Sequence, residues 1–188
     1  MDNKTRLLQE STRLFASKGV DAVGIREIVA ACSITKPTLY HYFGSKEGLL
    51  KAVLAQGFLH LNAVLDGQEP YRHDLPGFLG EMAEIWMTCV HAQPDFFRVE
   101  IQLVFMPIAH PGHQLVRGGH EALQRRMEKV FITVSQDHGN MRGRHRSLAA
   151  GWLGTLHHWT ALDLGGWVGP GEQFIQKGLR QFLYGVFS

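Results

Sequence analysis

The sequence predicts an all-α protein: an N-terminal three-helix head, residues 1–54, followed by a C-terminal helical bundle, residues 55–188. Three observations predict it. Apolar residues recur at three-to-four spacing through nearly the whole chain, the signature of a helix with one buried face. The 21 glycines and 7 prolines cut that pattern into segments of helical length. No stretch sustains the apolar/polar alternation with β-branched residues that a half-buried strand requires. With 45% hydrophobic and 19% charged residues, the chain carries enough apolar surface for a core and too little charge for a disordered or fibrous polymer.

The first helix is expected over Asn3 to Lys18, where Leu7, Leu8, Ser11, Leu14 and Phe15 share a face and Gly19 stops the run. Two short helices follow, Ile25 to Cys32 and Lys36 to Phe43. Ser45 is placed to cap a fourth, which carries Leu49, Leu50, Val53, Leu54, Phe58, Leu61 and Leu65. Beyond the polar turn GQEPYRHDLPG, helices are expected over Pro76 to Ala92, Asp95 to Met106, Gly112 to His138, His145 to Trp167 and Gly171 to Phe187. Pro94 marks a break, because proline suits a first helical turn and not an interior.

The two cysteines, Cys32 and Cys89, both fall in apolar helical patterns, which argues for buried thiols in a reducing compartment and against a disulfide framework. The charged start MDNKTRLLQE lacks the apolar stretch of a leader, and no later apolar run is expected to approach the roughly 20 residues of a membrane span. A cytoplasmic protein is expected. The formal net charge is only +2, but it is unevenly spread. Residues 1–55 hold eight lysines and arginines against five acidic residues, whereas the rest is nearly balanced. A basic head on a near-neutral body suits phosphate contact at one end.

Chemistry concentrates in GIREIVAACSITKPTLYHYFGSKEGLL, residues 24–50. Two short helices joined by a turn at Ser33 and Ile34 make a helix-turn-helix. Ile25, Ile28, Val29 and Cys32 form the inner face of one helix, and Ile34, Leu39 and Phe43 that of the other. Thr35 is expected to cap the second helix; because Pro37 has no N–H, its hydroxyl is left the N–H of Thr38. With Leu39 and Phe43 inward, the opposite surface is Pro37 and His41, flanked by Thr38, Tyr40 and Tyr42. A recognition helix sets its N-terminal residues against base edges, so Lys36, Pro37, Thr38, Tyr40 and His41 are the expected readers of sequence. Tyr42 is placed for backbone contact, and Arg26 and Thr35 are counted with these residues in the expected DNA-binding set. Lys46, at the open N-terminus of the next helix, is assigned to a phosphate.

These residues carry a resemblance. LFASKG followed by IREIVAACSITKPTLYHYFGSKEGLL resembles the N-terminal domain of the TetR (tetracycline repressor-like) family, ungapped through residue 54. QPDFFRVEIQL is similar, more loosely, to the entry of that family's sixth helix. The resemblance implies a homodimeric transcriptional regulator that binds double-stranded operator DNA and answers to a small-molecule effector, most often as a repressor. Two positions depart from the family pattern: Gly24 stands for the usual Ser/Thr cap, and Ser33 stands where glycine is preferred. The serine is expected to cost roughly 1 kcal/mol if the turn needs a left-handed residue.

The body is read for three further features. A mostly apolar effector cavity is expected against the fourth helix, walled by Phe58, Leu61, Trp86, Val90, Phe97, Ile101 and Met127, with His91 or Glu100 as polar anchors. The final two helices carry more apolar residues than one contact face needs, which points to pairing with a second copy as a four-helix interface. The eleven histidines raise the alternative of a helical metal-dependent enzyme. His157 and His158 are adjacent and so diverge by about 100° on a helix. His110 and His113 straddle a Pro-Gly break, and no HExxH-like pair is present. No metal, cofactor or catalytic set is therefore expected.

Overall fold

The computed structural model describes residues 2–168 and 174–185, and every described element is helical. The α-helices are α1 Asn3–Lys18, α2 Ile25–Ala31, α3 Lys36–Phe43, α4 Lys46–Asp66, α5 Leu75–Ala92, α6 Pro94–Val104, α7 Pro111–Val134, α8 His145–Leu164 and α9 Phe174–Tyr184, with a 3-10 turn at Gly139–Met141. Ranges expected from sequence agree within four residues wherever both ends are described, and each difference has a local cause. α5 starts at Leu75 because Asp74 caps it, its Oδ1 accepting the Gly77 N–H at 3.0 Å. α8 stops at Leu164 because Gly166 adopts φ 69° and Trp167 N–H turns back to the Leu162 carbonyl at 2.9 Å. Expected residues 171–173 and 186–187 of the last helix lie outside the described residues.

The contacts divide the chain into two compact units, and not at residue 54. The first comprises residues 1–60 and 93–120, so α6 and the start of α7 belong with the three-helix head; the second comprises 61–92 and 121–188.

In the first unit, α1 buries Leu7, Ser11, Leu14, Phe15 and Ala16, and packs against α2 and α6. The Gln102 amide of α6 donates to the Ala16 carbonyl at 3.4 Å. Two glycines let three helices approach. A Cβ at Gly57 of α4 would lie 2.0 Å from the Phe96 ring, and one at Gly119 of α7 would lie 2.2 Å from the Phe58 ring. Those two rings meet edge to face with centroids 5.3 Å apart. His110 ties the start of α7 to the α1–α2 turn. Its Nδ1 accepts the Gly112 N–H at 3.1 Å, so the ring proton sits on Nε2, which lies 3.1 Å from both oxygens of Asp21.

In the second unit, α5 packs against α8 and α9 around buried indoles. Trp86 Nε1 donates to Thr160 Oγ1 at 2.9 Å, and Trp152 Nε1 approaches the Met82 sulfur at 3.1 Å. Trp152 and Trp159 stack edge to face at 5.8 Å, extended by Phe182 and Phe174 of α9. Gly178 makes room for Trp159, whose ring would meet a Cβ at 2.4 Å.

Two expectations are corrected. α4, at 21 residues, is long and apolar enough by length and composition to cross a membrane. Its Leu49, Leu50, Val53, Leu54 and Phe58 are buried in the first unit, and Leu61 and Leu65 in the second, so protein contacts account for that apolarity. On α8 the apolar excess is largely absorbed: Trp152, Leu153, Leu156 and Trp159 are all buried, and past its first turn the exposed residues are Ala150, Gly151, Gly154, His158 and Ala161. α9 differs, with Phe174, Ile175, Leu179, Phe182 and Leu183 only half-buried.

Candidate nucleic-acid interface

The turn between α2 and α3 is fixed by its own hydrogen bonds. Ile34 N–H reaches the Val29 carbonyl at 3.0 Å and Ser33 N–H the Ala30 carbonyl at 3.1 Å, the paired closure of a Schellman motif. That closure needs a left-handed residue between them, and Ser33 supplies it at φ 52°. The expected strain is therefore present, a glycine position held by serine at roughly 1 kcal/mol. α1 holds the turn from behind. An Arg6 guanidinium N–H donates to the Cys32 carbonyl at 3.3 Å, while the Cys32 thiol points at the Arg6 carbonyl at 3.8 Å. Burial, and then Glu10, pushes that thiol above its ordinary pKa. Gly24 starts α2 without a side-chain cap, and Lys18 of α1 pairs with Glu27 in its first turn.

α3 opens differently from expectation. Thr35 occupies the N-cap with extended backbone, but its hydroxyl bonds the Thr38 hydroxyl at 2.9 Å and caps no backbone N–H. Hydroxyl pairing across the first turn competes with capping, and the missing N–H of Pro37 leaves few amides to compete for it. Leu39 is fully buried, and Ile34 and Phe43 are half-buried, which sets the roll of the helix. Lys36, Pro37, Tyr40, His41 and Tyr42 are consequently exposed, with Thr38 half-exposed. Tyr40 keeps 47% and Tyr42 40% of its surface open, large values for aromatic residues on so short a helix. His41 and Tyr42 meet edge to face at 5.4 Å. Arg26 is exposed on α2.

Gly44, at φ 72°, ends α3, and Ser45 caps α4 as expected, accepting the Gly48 N–H at 3.0 Å. Any side chain at 48 would meet the Phe43 carbonyl at 2.0 Å, so glycine lets the end of α3 sit on the first turn of α4. Lys46 is the first residue of α4 and is half-exposed. One feature was missed by sequence reasoning: the Glu47 carboxyl is held below its ordinary range by its own backbone N–H and the Ser45 hydroxyl. The helix terminus already holds a carboxylate, so the positive group beside it is the Lys46 ammonium. An acidic residue in the first turn, which the helix dipole favours, was the available signal. The exposed strip from Lys36 to Lys46 contains no acidic residue.

The residues expected to wall an effector cavity divide between the units. In the first unit, Phe58 and Phe97 are buried and Ile101 is half-buried; Glu100 is 2% exposed, with His120 Nδ1 at 3.4 Å from its Oε1. In the second, Leu61, Trp86, Val90 and Met127 are essentially fully buried. His91 is exposed and paired with Asp163 at 3.0 Å, a surface position unlike the interior anchor expected of it. Open space in the second unit is found away from these residues. A cleft of about 640 Å³ runs between the end of α4, the loop to α5, α5 itself and α7, lined among others by Leu65, Tyr71, Phe78, Met82 and Val130.

Comparison with known proteins agrees with this geometry. The family model described as "Bacterial regulatory proteins, tetR family" matches residues 7–53, the segment that builds α1 through the first part of α4. The HTH-type transcriptional repressor KstR2 of Rhodococcus jostii is 41% identical over 56 residues, 30% of this chain and 27% of that protein. The chain thus matches about a quarter of the length of such curated relatives. Solved structures align over nearly the whole length. The fatty acid degradation regulator FadR from Bacillus halodurans does so with TM-score 0.79 at 12% identity, covering 100% of this chain and 97% of that one. AibR, solved in complex with isovaleryl coenzyme A and operator DNA, aligns with TM-score 0.72 at 21% identity, covering 96% and 97%. At such identities the likeness extends to the fold.

Proposed function

We propose that the chain, whose residues 7–53 match the model of the tetR family of bacterial regulatory proteins, is a homodimeric, ligand-responsive transcriptional repressor that reads operator DNA with α3. The observation that carries this reading is the exposed face of α3. A burial pattern set by Leu39 turns Lys36, Pro37, Tyr40 and His41 outward from a rigid turn, on the basic end of the chain.

Lys36 reaches guanine acceptors, the proline ring and the Thr38 methyl pack on thymine methyls, and the phenol of Tyr40 and imidazole of His41 hydrogen-bond to bases. Tyr42, Arg26 and Lys46 contact phosphates, fixing register without reading sequence. The α3 face carries the Lys36 ammonium and an uncapped first turn, which suits a polyanion. Two such helices roughly 34–36 Å apart would read a near-palindrome. The half-buried apolar residues of α9 and the small outward residues of α8 support pairing with a second copy. The repressor KstR2 and the ligand-bound AibR support the sign and the effector response, respectively. An effector releases DNA only by binding better to a form whose heads no longer match the groove.

Salt titrations of duplex binding test the roles. Lys46→Ala should weaken binding to cognate and scrambled duplexes alike and reduce the salt slope by roughly one counterion per head. Lys36→Ala and Thr38→Ala should instead change which bases are tolerated. A Lys46→Ala protein with altered base preference and an unchanged slope would refute the assignment.

A further inference from the structure

The cleft of the second unit has a definite chemical character. Leu65 and Met82, both 2% exposed, form its floor, with Tyr71, Phe78 and Val130 half-buried around them. One wall is a single face of α7, where Arg125, Arg126 and Lys129 line the cleft. Arg125 and Lys129 are four apart and therefore neighbours on successive turns. The two acidic residues of the lining are already engaged: Asp66 with Arg126 at 2.6 Å and Glu69 with Arg72 at 2.7 Å. Against them, Arg125 has Glu121 at 3.7 Å, and Lys129 makes no ion pair among the described residues. An apolar floor beneath a net cationic rim, at about 640 Å³, lies in the range that encloses small ligands.

From this arrangement we propose that the cleft is the effector site, and that its ligand is an anion with an apolar tail: a fatty carboxylate or its coenzyme A thioester. The inference rests on the reading of the chain as a ligand-responsive regulator and adds both the place and the class of the effector. The tail lies on the floor of Leu65 and Met82 and covers the half-buried Tyr71, Phe78 and Val130, removing their apolar surface from water. The carboxylate or phosphate head meets Arg125 and Lys129 at the rim, where a guanidinium gives paired hydrogen bonds and an ammonium gives a point charge. Neutral chains gain only the first of these contacts, and cationic chains are repelled at the rim.

Calorimetric titration of the full chain, without DNA, tests this with octanoate, octanoyl-CoA, palmitoyl-CoA, free coenzyme A, octanol and octylamine. At least one acyl anion should bind, octanol should bind more weakly, and octylamine should not bind. Octanoate and octanoyl-CoA compared with coenzyme A alone tell the free acid from the thioester. Lys129→Glu and Arg125→Glu, both exposed rim changes, should each weaken the acyl anion by roughly three- to fivefold, the size of one screened charge contact. Ala122→Trp, which projects from the exposed α7 face into the cleft, should block binding while far-ultraviolet circular dichroism shows the fold intact. Equal affinity for octanol and the anions, binding indifferent to all three variants, or no binding of any acyl anion would overturn the proposal. Operator binding is measured separately in the absence of ligand. Loss of the DNA reading with ligand binding intact, or the reverse, therefore identifies which inference has failed.

Discussion

Adjacent glycines on α7 give a direct test of how the first unit is packed. Gly118 is exposed and a Cβ there would meet nothing within 4 Å, whereas one at Gly119 would lie 2.2 Å from the Phe58 ring. Alanine at either position gains the same helical propensity, about 1 kcal/mol. At Gly118 nothing opposes that gain, so Gly118→Ala should stabilise by about 1 kcal/mol. At Gly119 the new methyl displaces a buried ring that is itself held edge to face by Phe96. Overpacking of this kind typically costs about 1–3 kcal/mol. The net effect of Gly119→Ala should therefore lie between about zero and a 2 kcal/mol loss. The two variants should differ by about 1–3 kcal/mol, or several degrees in Tm for a chain of this size. Urea denaturation followed by circular dichroism measures it, with the m-value checking that the transition keeps its character. If both variants shifted stability in the same direction by the same amount, the close approach of α4 and α7 would be wrong.

Other outcomes follow from the same contacts. His110→Ala removes both the closure of the first turn of α7 and the tie to Asp21, and should cost about 1 kcal/mol. Asp21→Asn keeps an acceptor and should cost far less; equal losses would assign the effect to the Asp21 contact alone. Asp137 is opposed by burial but held below its ordinary range by hydrogen bonds from His73 and Tyr71, and Asp2 is held low by the Thr5 N–H. Depressed carboxylates stabilise the fold above their unfolded pKa, about 3.9, and lose that contribution as pH falls through the lower folded value. Acid titration of Asp137→Asn should thus show a flatter decline below about pH 4, and an identical profile would remove Asp137 from the account. Burial raises the thiols of Cys32 and Cys89, so a thiol-specific disulfide reagent should label neither in the folded protein and both in urea.

The head was nearly complete in the sequence because its signals are local. Gly19, Ser45 and the Gly44 stop act within one turn of where they sit, and the inward pattern of Leu39 and Phe43 follows from helical periodicity alone. Thr35 was misread because a hydroxyl has more than one partner within reach, and the geometry of Thr38 decided between them. Asp74 and Gly166, by contrast, were available as a cap and a stop and went unused. The division into units was not legible. It depends on α6 returning to α1, a contact between residues some 86 positions apart such as Gln102 and Ala16. Cavity walls were equally hidden, since periodicity marks Trp86, Val90 and Met127 as inward-facing without distinguishing a filled interior from a lined one. The cleft is bounded by polar and charged residues such as Arg126 and Lys129, which an apolar criterion passes over.

The four tryptophans also give the molecule an optical asymmetry. Trp86, Trp152 and Trp159 are buried, while Trp167, just past the end of α8, is 80% exposed. The buried three emit from a rigid, apolar setting and Trp152 lies against a sulfur, whereas Trp167 emits into water at longer wavelength. Acrylamide therefore quenches one population and spares the other. Because Trp167 follows α8 directly, its emission reports whether that end of the helix is wet or covered. The fluorescence spectrum of the unlabelled protein thus offers a test of the proposed pairing, separate from the signal of its folded interior.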